Sequence, residues 1–173
     1  MPPVQVGLGV LRPRMAELAG ELADVAITWL TPAAYLRDTV VPALRAGADK
    51  AGRAVPRVVV IVPVALTGTG REATELALAS NAGHMQLPHY ADMLGRSGID
   101  VDMKADPEAS GKALVGGDAF LFGDADELRG KFEAFTAAGV DEIVLNVTGV
   151  AMTEGPAAAL RELETLLRLV DAA

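Results

Sequence analysis

The chain contains no cysteine, which excludes disulfide bridges, thiolate nucleophiles and cysteine-ligated metal and leaves the redox compartment open. Aromatic residues make up only 4% of it, so Ala, Leu and Val must carry the packing. The two histidines, His84 and His89, are badly spaced for sharing a metal on one helix face, and no carboxylate stands at a fixed offset to orient either of them. No long hydrophobic run exists. The longest, Val58 to Leu66, contains Pro63 and is far too short to span a bilayer. Met1 to Gln5 has no basic stretch leading into an apolar one, so a secretory signal is not expected and a cytoplasmic, membrane-free setting is. Positive charge is also scarce, with 15 Lys and Arg against 23 Asp and Glu. The basic residues are scattered, which argues against nucleic-acid partners and leaves the acidic surface to solubility. Two phosphate-binding signatures are missing as well. Gly7-Leu8-Gly9 runs on to Arg12 where a dinucleotide fingerprint needs its third glycine, and no P-loop pattern occurs.

What the chain does have is a repeated alternation of a β-branched apolar stretch with a longer amphipathic one. Val4 to Val10 precedes a helix read from Pro13 through Arg14 to Leu22, with Met15, Leu18, Ala19 and Leu22 as its apolar face. Val25 to Leu30 is a second strand, and Thr31-Pro32 supplies a capping hydroxyl and a first-turn proline for a helix carrying Tyr35, Leu36, Val40 and Leu44 as far as Gly52. Arg57 to Leu66 reads as a strand buried on both faces, as parallel strands are, with Pro63 marking a bulge or the strand's exit. Helical spacing returns from Ala73 toward Met85, and Pro88 restarts a short helix over His89 to Arg96. The pattern then fails across residues 98–117, which reads as a mobile loop or insertion. Asp124 and Glu127 form a capping box for a helix with Leu128, Phe132 and Phe135 inside, ended by Gly139. Glu142 to Val147 is a fourth strand. Gly155-Pro156 opens a last helix with Leu160, Leu163, Leu167 and Val170 on one face.

Strand and helix in alternation imply an α/β fold, either a doubly wound sheet or a closed barrel. Residues 1–173 read as a single domain. A four-stranded parallel sheet with helices on one face leaves its other face bare, so a further chain or a further copy is expected to cover it.

Three segments carry a family resemblance. Phe122 to Asn146 (FGDADELRGKFEAFTAAGVDEIVLN) resembles the stretch near the end of luciferase-like monooxygenases and their deazaflavin-dependent relatives. Arg12 to Thr31 (RPRMAELAGELADVAITWLT) resembles that family's segment from the loop after the fifth barrel strand through the sixth, and Leu87 to Ile99 (LPHYADMLGRSGI) the insertion after its seventh. The resemblance covers nearly the whole chain in order. It implies the C-terminal half of a (β/α) TIM barrel, completed by a dimer or other homo-oligomer or by a separate N-terminal half-barrel subunit. It further implies an oxidoreductase that uses coenzyme F420, with FMN as the alternative, for hydride transfer with a small organic substrate. The other reading is a non-catalytic structural or binding half-barrel, because the family's catalytic half is the absent one.

By the same resemblance, Gly9, Val10, Leu11 and Arg12 correspond to the turn whose backbone amides meet the cofactor phosphate. The family usually has a small residue where Arg12 stands, so Arg12 is a cation for that phosphate, a bulk that blocks its approach, or an exposed residue at a helix start. Trp29, the only tryptophan, and Thr31 follow the second strand, at the end where barrels carry their sites. Trp29 is either a wall of the substrate pocket or a core or dimer contact, and Thr31 suits a helix cap better than a ligand contact. No catalytic residue is assigned. Thr67, Thr69, Asn146 and Thr148, at strand exits, suit turns and caps, and Ser80 and Ser97 lack a nucleophile context. Asp100, Asp102, Asp106 and Glu108 lack the glycine and terminal Glu of a calcium loop and read as a solvated acidic stretch.

Overall fold

The computed structural model of the protein describes residues 4–171, the side chains of residues 170 and 171 excepted. In chain order it contains β1 (Gly7–Gly9), α1 (Pro13–Leu22), β2 (Val25–Trp29), α2 (Ala33–Tyr35) running through a π turn (Leu36–Val40) into α3 (Val41–Ala51), and β3 (Arg57–Leu66). Then come α4 (Ala73–Met85), α5 (Pro88–Arg96), α6 (Pro107–Gly116), β4 (Leu121–Gly123), α7 (Ala125–Ala137), β5 (Glu142–Asn146), α8 (Thr148–Glu154) and α9 (Pro156–Asp171). Strand order is β1, β2, β3, β4, with β5 also paired to β3. The pairs β1–β2, β2–β3 and β3–β4 are parallel. No described pairing returns to β1, so the sheet is open, as half a barrel requires. Among the described residues, those up to 61 with 134–144 form one compact unit, and 62–133 with those from 145 onward form another.

In the first unit, Ala26 and Thr28 of β2 lie opposite Val58 and Val60 of β3, and all four are buried. The alternate row, with Ile27 and Trp29 opposite Val59 and Ile61, is only partly covered at Ile27, Trp29 and Ile61. Strand periodicity therefore separates a sealed face from a partly open one. Helix α1 packs on α3 through Ala16, Ala19 and Gly20. A Cβ on Gly20 would stand 2.2 Å from the Leu44 carbonyl oxygen, and one on Gly47 only 1.9 Å from that of Glu17. The two helices meet backbone to backbone. That choice turns the larger residues outward: Met15 is 43%, Leu18 40% and Leu22 64% exposed. Of the apolar face read for α1 only Ala19 is buried; spacing identifies an apolar face but not which of two faces the chain itself covers. The stripe Tyr35, Leu36, Val40 and Leu44 is buried, and Gly52 at φ 63° ends the helix.

In the second unit, Val64 to Leu66 pair with Leu121 to Gly123. Pro63, which cannot donate to a ladder, falls between the β3 residues registered with β2, ending at Ile61, and those registered with β4, starting at Val64. Strand β4 was not expected, since three residues are too few to show a period. The segment 98–117, expected as a loop, holds α6 in its second half. The Asp106 carboxylate accepts from the Ala109 amide at 2.9 Å, Pro107 takes the first turn, and Ser110, Gly111 and Leu114 are buried. A Cβ on Gly111 would meet Thr74 at 2.8 Å, so α6 packs on α4 through small residues that leave no apolar period to read. Helix α8 was missed for the same reason: a Cβ on Gly149 would lie 2.5 Å from the Leu76 carbonyl oxygen. The capping box is present, with Asp124 and Glu127 exchanging amide bonds at 2.8 and 3.0 Å. In α9 the buried positions are Ala159, Glu162 and Leu166, while Leu160 is 63% and Leu167 54% exposed. The apolar face of Leu160, Leu163 and Leu167 is thus mostly uncovered, and Val170 lies outside the described side chains. Among the described residues no helix is long and apolar enough to cross a membrane.

Gly47→Ala is expected to lower unfolding free energy by about 3 kcal/mol or more, because backbone cannot give way. Gly83→Ala, in α4 with open space around its Cβ, is expected to raise it by about 0.5–1 kcal/mol. Urea unfolding of both variants checks the pair, and equal effects would contradict this packing.

Candidate functional site

Parallel strands send all their following loops to one end of the sheet. In the first unit those loops are Val10–Arg12 after β1 and Leu30–Pro32 after β2. The register Gly9 opposite Ile27 and a 2.8 Å bond from the Val10 amide to the Ile27 carbonyl bring the two exits side by side. The residues expected to hold cofactor and those expected to line a pocket are therefore neighbours.

Their individual states differ. Gly9 is exposed with nothing within 4 Å of where a Cβ would stand. Val10 is buried and its N–H is taken by Ile27, so it cannot also serve an anion in this arrangement. Leu11 is partly covered and Arg12 exposed. Arg12 is the N-cap of α1, extended at φ −123°, and no side chain caps the helix; its carbonyl accepts from the Met15 and Ala16 amides at 3.0 Å. An uncapped helix start carrying a cation suits an anionic group. Trp29 is partly buried at the end of β2. Thr31 is buried, and its hydroxyl donates to the Trp29 carbonyl at 3.0 Å. That corrects its expected role: the N-cap is Pro32, with no side-chain cap bond. The Thr28 hydroxyl, on the sealed row, is buried with no hydrogen-bond partner.

The second unit has a feature that sequence reading passed over. At the end of β3 the Leu66 amide donates to Glu162 at 2.5 Å, while the Leu66 carbonyl accepts from Arg71 at 2.8 Å. Arg71 also pairs with Glu162 at 3.0 Å and with Glu154 at 2.7 Å. The hydrogen bond that Arg71 donates to Glu154, and then those it donates to Glu162, hold the guanidinium pKa above its ordinary value against the opposing effect of burial. Glu162 is 7% exposed. The available signal was its place between Ala159 and Leu166 on the buried stripe, where a carboxylate needs a partner. This network fixes the exit of β3 and the loop that carries Thr67 and Thr69.

The other polar residues have local duties. The Asn146 side-chain oxygen accepts from the Thr148 amide and hydroxyl at 3.0 and 2.5 Å. Ser80 and Ser97 donate to helix carbonyls. Asp102 accepts from the Lys104 and Ala105 amides, Asp106 caps α6, and Glu108 pairs with Lys112 at 2.6 Å. His84 meets Tyr90 edge-on and His89 lies tilted against it, with ring centroids 5.2 and 4.9 Å away. Among the described residues no group of three or more His, Asp or Glu could hold a metal ion. A cleft beside Arg45, Pro56, Arg57 and Asp141 opens at the start of β3, the end of the strands opposite to barrel sites.

The model of the luciferase-like monooxygenase family matches residues 1–142. The chain belongs to that family. No curated protein sequence matches it. Among solved structures, an F420-dependent secondary alcohol dehydrogenase is 21% identical with a TM-score of 0.58, over 91% of this chain and 49% of that one. The F420-dependent tetrahydromethanopterin reductase of Methanopyrus kandleri is 21% identical with a TM-score of 0.61, over 86% and 48%. The oxygenating constituent of 3,6-diketocamphane monooxygenase from Pseudomonas putida, in complex with FMN, is 20% identical with a TM-score of 0.56, over 91% and 45%. These luciferase-like neighbours share its fold, and the chain spans about half the length of each.

Glu162→Ala is expected to cost about 3 kcal/mol, because it strips a partly buried guanidinium and a strand-end amide of their acceptor. Denaturant unfolding checks this, and a loss no larger than that of an exposed ion pair would contradict it. Burial first, and the nearby His89 second, lower the His84 pKa below its ordinary 6.5. The unfolded chain then takes up that proton first, so stability is expected to fall as pH drops through about 6.5 and to level off below the folded value. Thermal unfolding against pH should show this limb in the native protein and a weaker one in His84→Gln.

Proposed function

We propose that this chain is the C-terminal half of a luciferase-like oxidoreductase barrel that binds F420, or alternatively FMN, and acts on a small organic substrate in the cytoplasm. The family match combined with an open sheet that runs only from β1 to its far strands is the observation that carries this reading. The remaining half-barrel comes from a second copy or from an N-terminal half on another chain. The residues present fit an anionic cofactor group: open space over Gly9 and the uncapped start of α1 at Arg12 suit a phosphate, with Leu11 between them. Val10 holds the turn to β2 rather than meeting the ligand. Trp29 stands at the adjoining exit as a wall for the substrate or ring. Hydride transfer is chemistry that the bound deazaflavin or flavin ring supplies. The chain's own groups bind, orient and exclude water.

A second reading is a binding or structural half-barrel without chemistry. The engaged Val10 amide favours it, as does Arg12 at a place where the family usually has a small residue.

Titration of the purified protein with F420 and with FMN, followed by absorbance and fluorescence, is expected to show saturable binding that Arg12→Ala weakens by about tenfold, roughly 1.4 kcal/mol. Its mass in solution is expected to exceed one chain at micromolar concentration. An assembled oligomer that binds neither compound would overturn the enzyme reading in favour of the second. A stable monomer would overturn the completed barrel.

A further inference from the structure

Immediately after Trp29 the backbone does something a leucine rarely does. Leu30 has φ 56°, and the only other non-glycine residue with positive φ among those described is Asp118. Aspartate visits the left-handed region readily, whereas leucine does so against the contact between its Cβ and the following carbonyl. A glycine would adopt that conformation freely. Leucine is tolerated because its side chain is buried completely, so the packing of that side chain holds the backbone in place.

The turn is closed from both sides. The Thr31 hydroxyl reaches back to the Trp29 carbonyl at 3.0 Å, across Leu30. Pro32 follows, buried, with φ −63° and ψ 148°, and a proline disfavours helical backbone at the residue before it. Regular strand alternation ends here, since Leu30 and Thr31 are both buried in succession while Trp29 keeps part of its surface open. A few residues later the helix widens into the π turn Leu36–Val40. Two departures from regular backbone thus follow one strand exit, and both kinds of irregularity concentrate where side chains must be aimed.

We propose that Leu30 is the positioning residue of this exit: its buried side chain holds a left-handed turn that sets the Trp29 indole at the mouth of β2, and the Thr31 hydroxyl locks that turn. The consequence for ligands rests on the reading given under Proposed function; the geometry of the turn does not.

Trp29 is the only tryptophan, so its fluorescence reports this position alone. Iodide quenching and emission are measured on the free protein for Leu30→Gly, Leu30→Met, Thr31→Val and Thr31→Ser, beside thermal unfolding and titration with F420 and FMN. Leu30→Gly and Thr31→Val are expected to raise the quenching constant and shift emission to the red. Leu30→Met and Thr31→Ser, which keep the bulk and the hydroxyl, should stay close to the native protein. Whichever compound the native protein binds should bind Leu30→Gly about tenfold more weakly. Lower melting temperatures with unchanged Trp29 quenching in both Leu30→Gly and Thr31→Val would make Leu30 an ordinary core residue and overturn the proposal. If Leu30→Gly does not fold, the Thr31→Val and Thr31→Ser comparison decides the matter by the same criterion. Should the native protein bind neither F420 nor FMN, the proposed cofactor fails while the quenching result still judges the turn.

Discussion

A central parallel strand is hydrogen-bonded along both edges and covered on its faces, and β3 comes nearest to that in this chain. Val58, Val60, Val62 and Val64 are buried at successive alternate positions, and β2, β4 and β5 all take β3 as a partner. The strand carries Pro63 without breaking because that residue stands where the partner changes. Each exit described above derives its direction from this strand or from the strand beside it.

Where β-branched residues or a reciprocal cap carried the structure, the sequence was readable. Strand β3, the Asp124–Glu127 box and the burial of Leu128, Phe132 and Phe135 are of that kind. Small residues hid the rest. Gly20 with Gly47, Gly111 with Thr74, and Gly149 with Leu76 place backbone against its neighbour, and a contact made by the absence of a side chain leaves no hydrophobic period. On α1 the same economy leaves Leu18 and Leu22 outside, since that helix packs through alanine and glycine, whereas α9 buries Ala159, Glu162 and Leu166 and leaves Leu160 and Leu167 exposed.

The candidate site was legible to a similar degree. Its residues came from the family resemblance, and the match over residues 1–142 supports that resemblance rather than any single residue. Individual duties were not legible, because they depend on which atom a neighbour occupies. Nothing about Val10 as a residue type announces that Ile27 takes its amide, and nothing about Thr31 announces that it bonds backward rather than forward. Glu162 is the reverse case: a carboxylate in register with Ala159 and Leu166 implies a buried partner, although its identity as Arg71 needs the fold.

The exits of β2 and β3 solve one problem by different physics. Leu66 is held through both its amide and its carbonyl by charged side chains that arrive from α9 and from the loop itself, an arrangement strengthened by its removal from water. The turn at Leu30 uses a neutral hydroxyl, a proline and the burial of one aliphatic side chain. Charge would hold that turn more firmly, but a fixed ion pair beside Trp29 would impose its own field on whatever the indole faces. A hydrophobic clamp orients the backbone while leaving the electrostatics of the mouth to Arg12 and the start of α1, where the proposed anionic group would meet them.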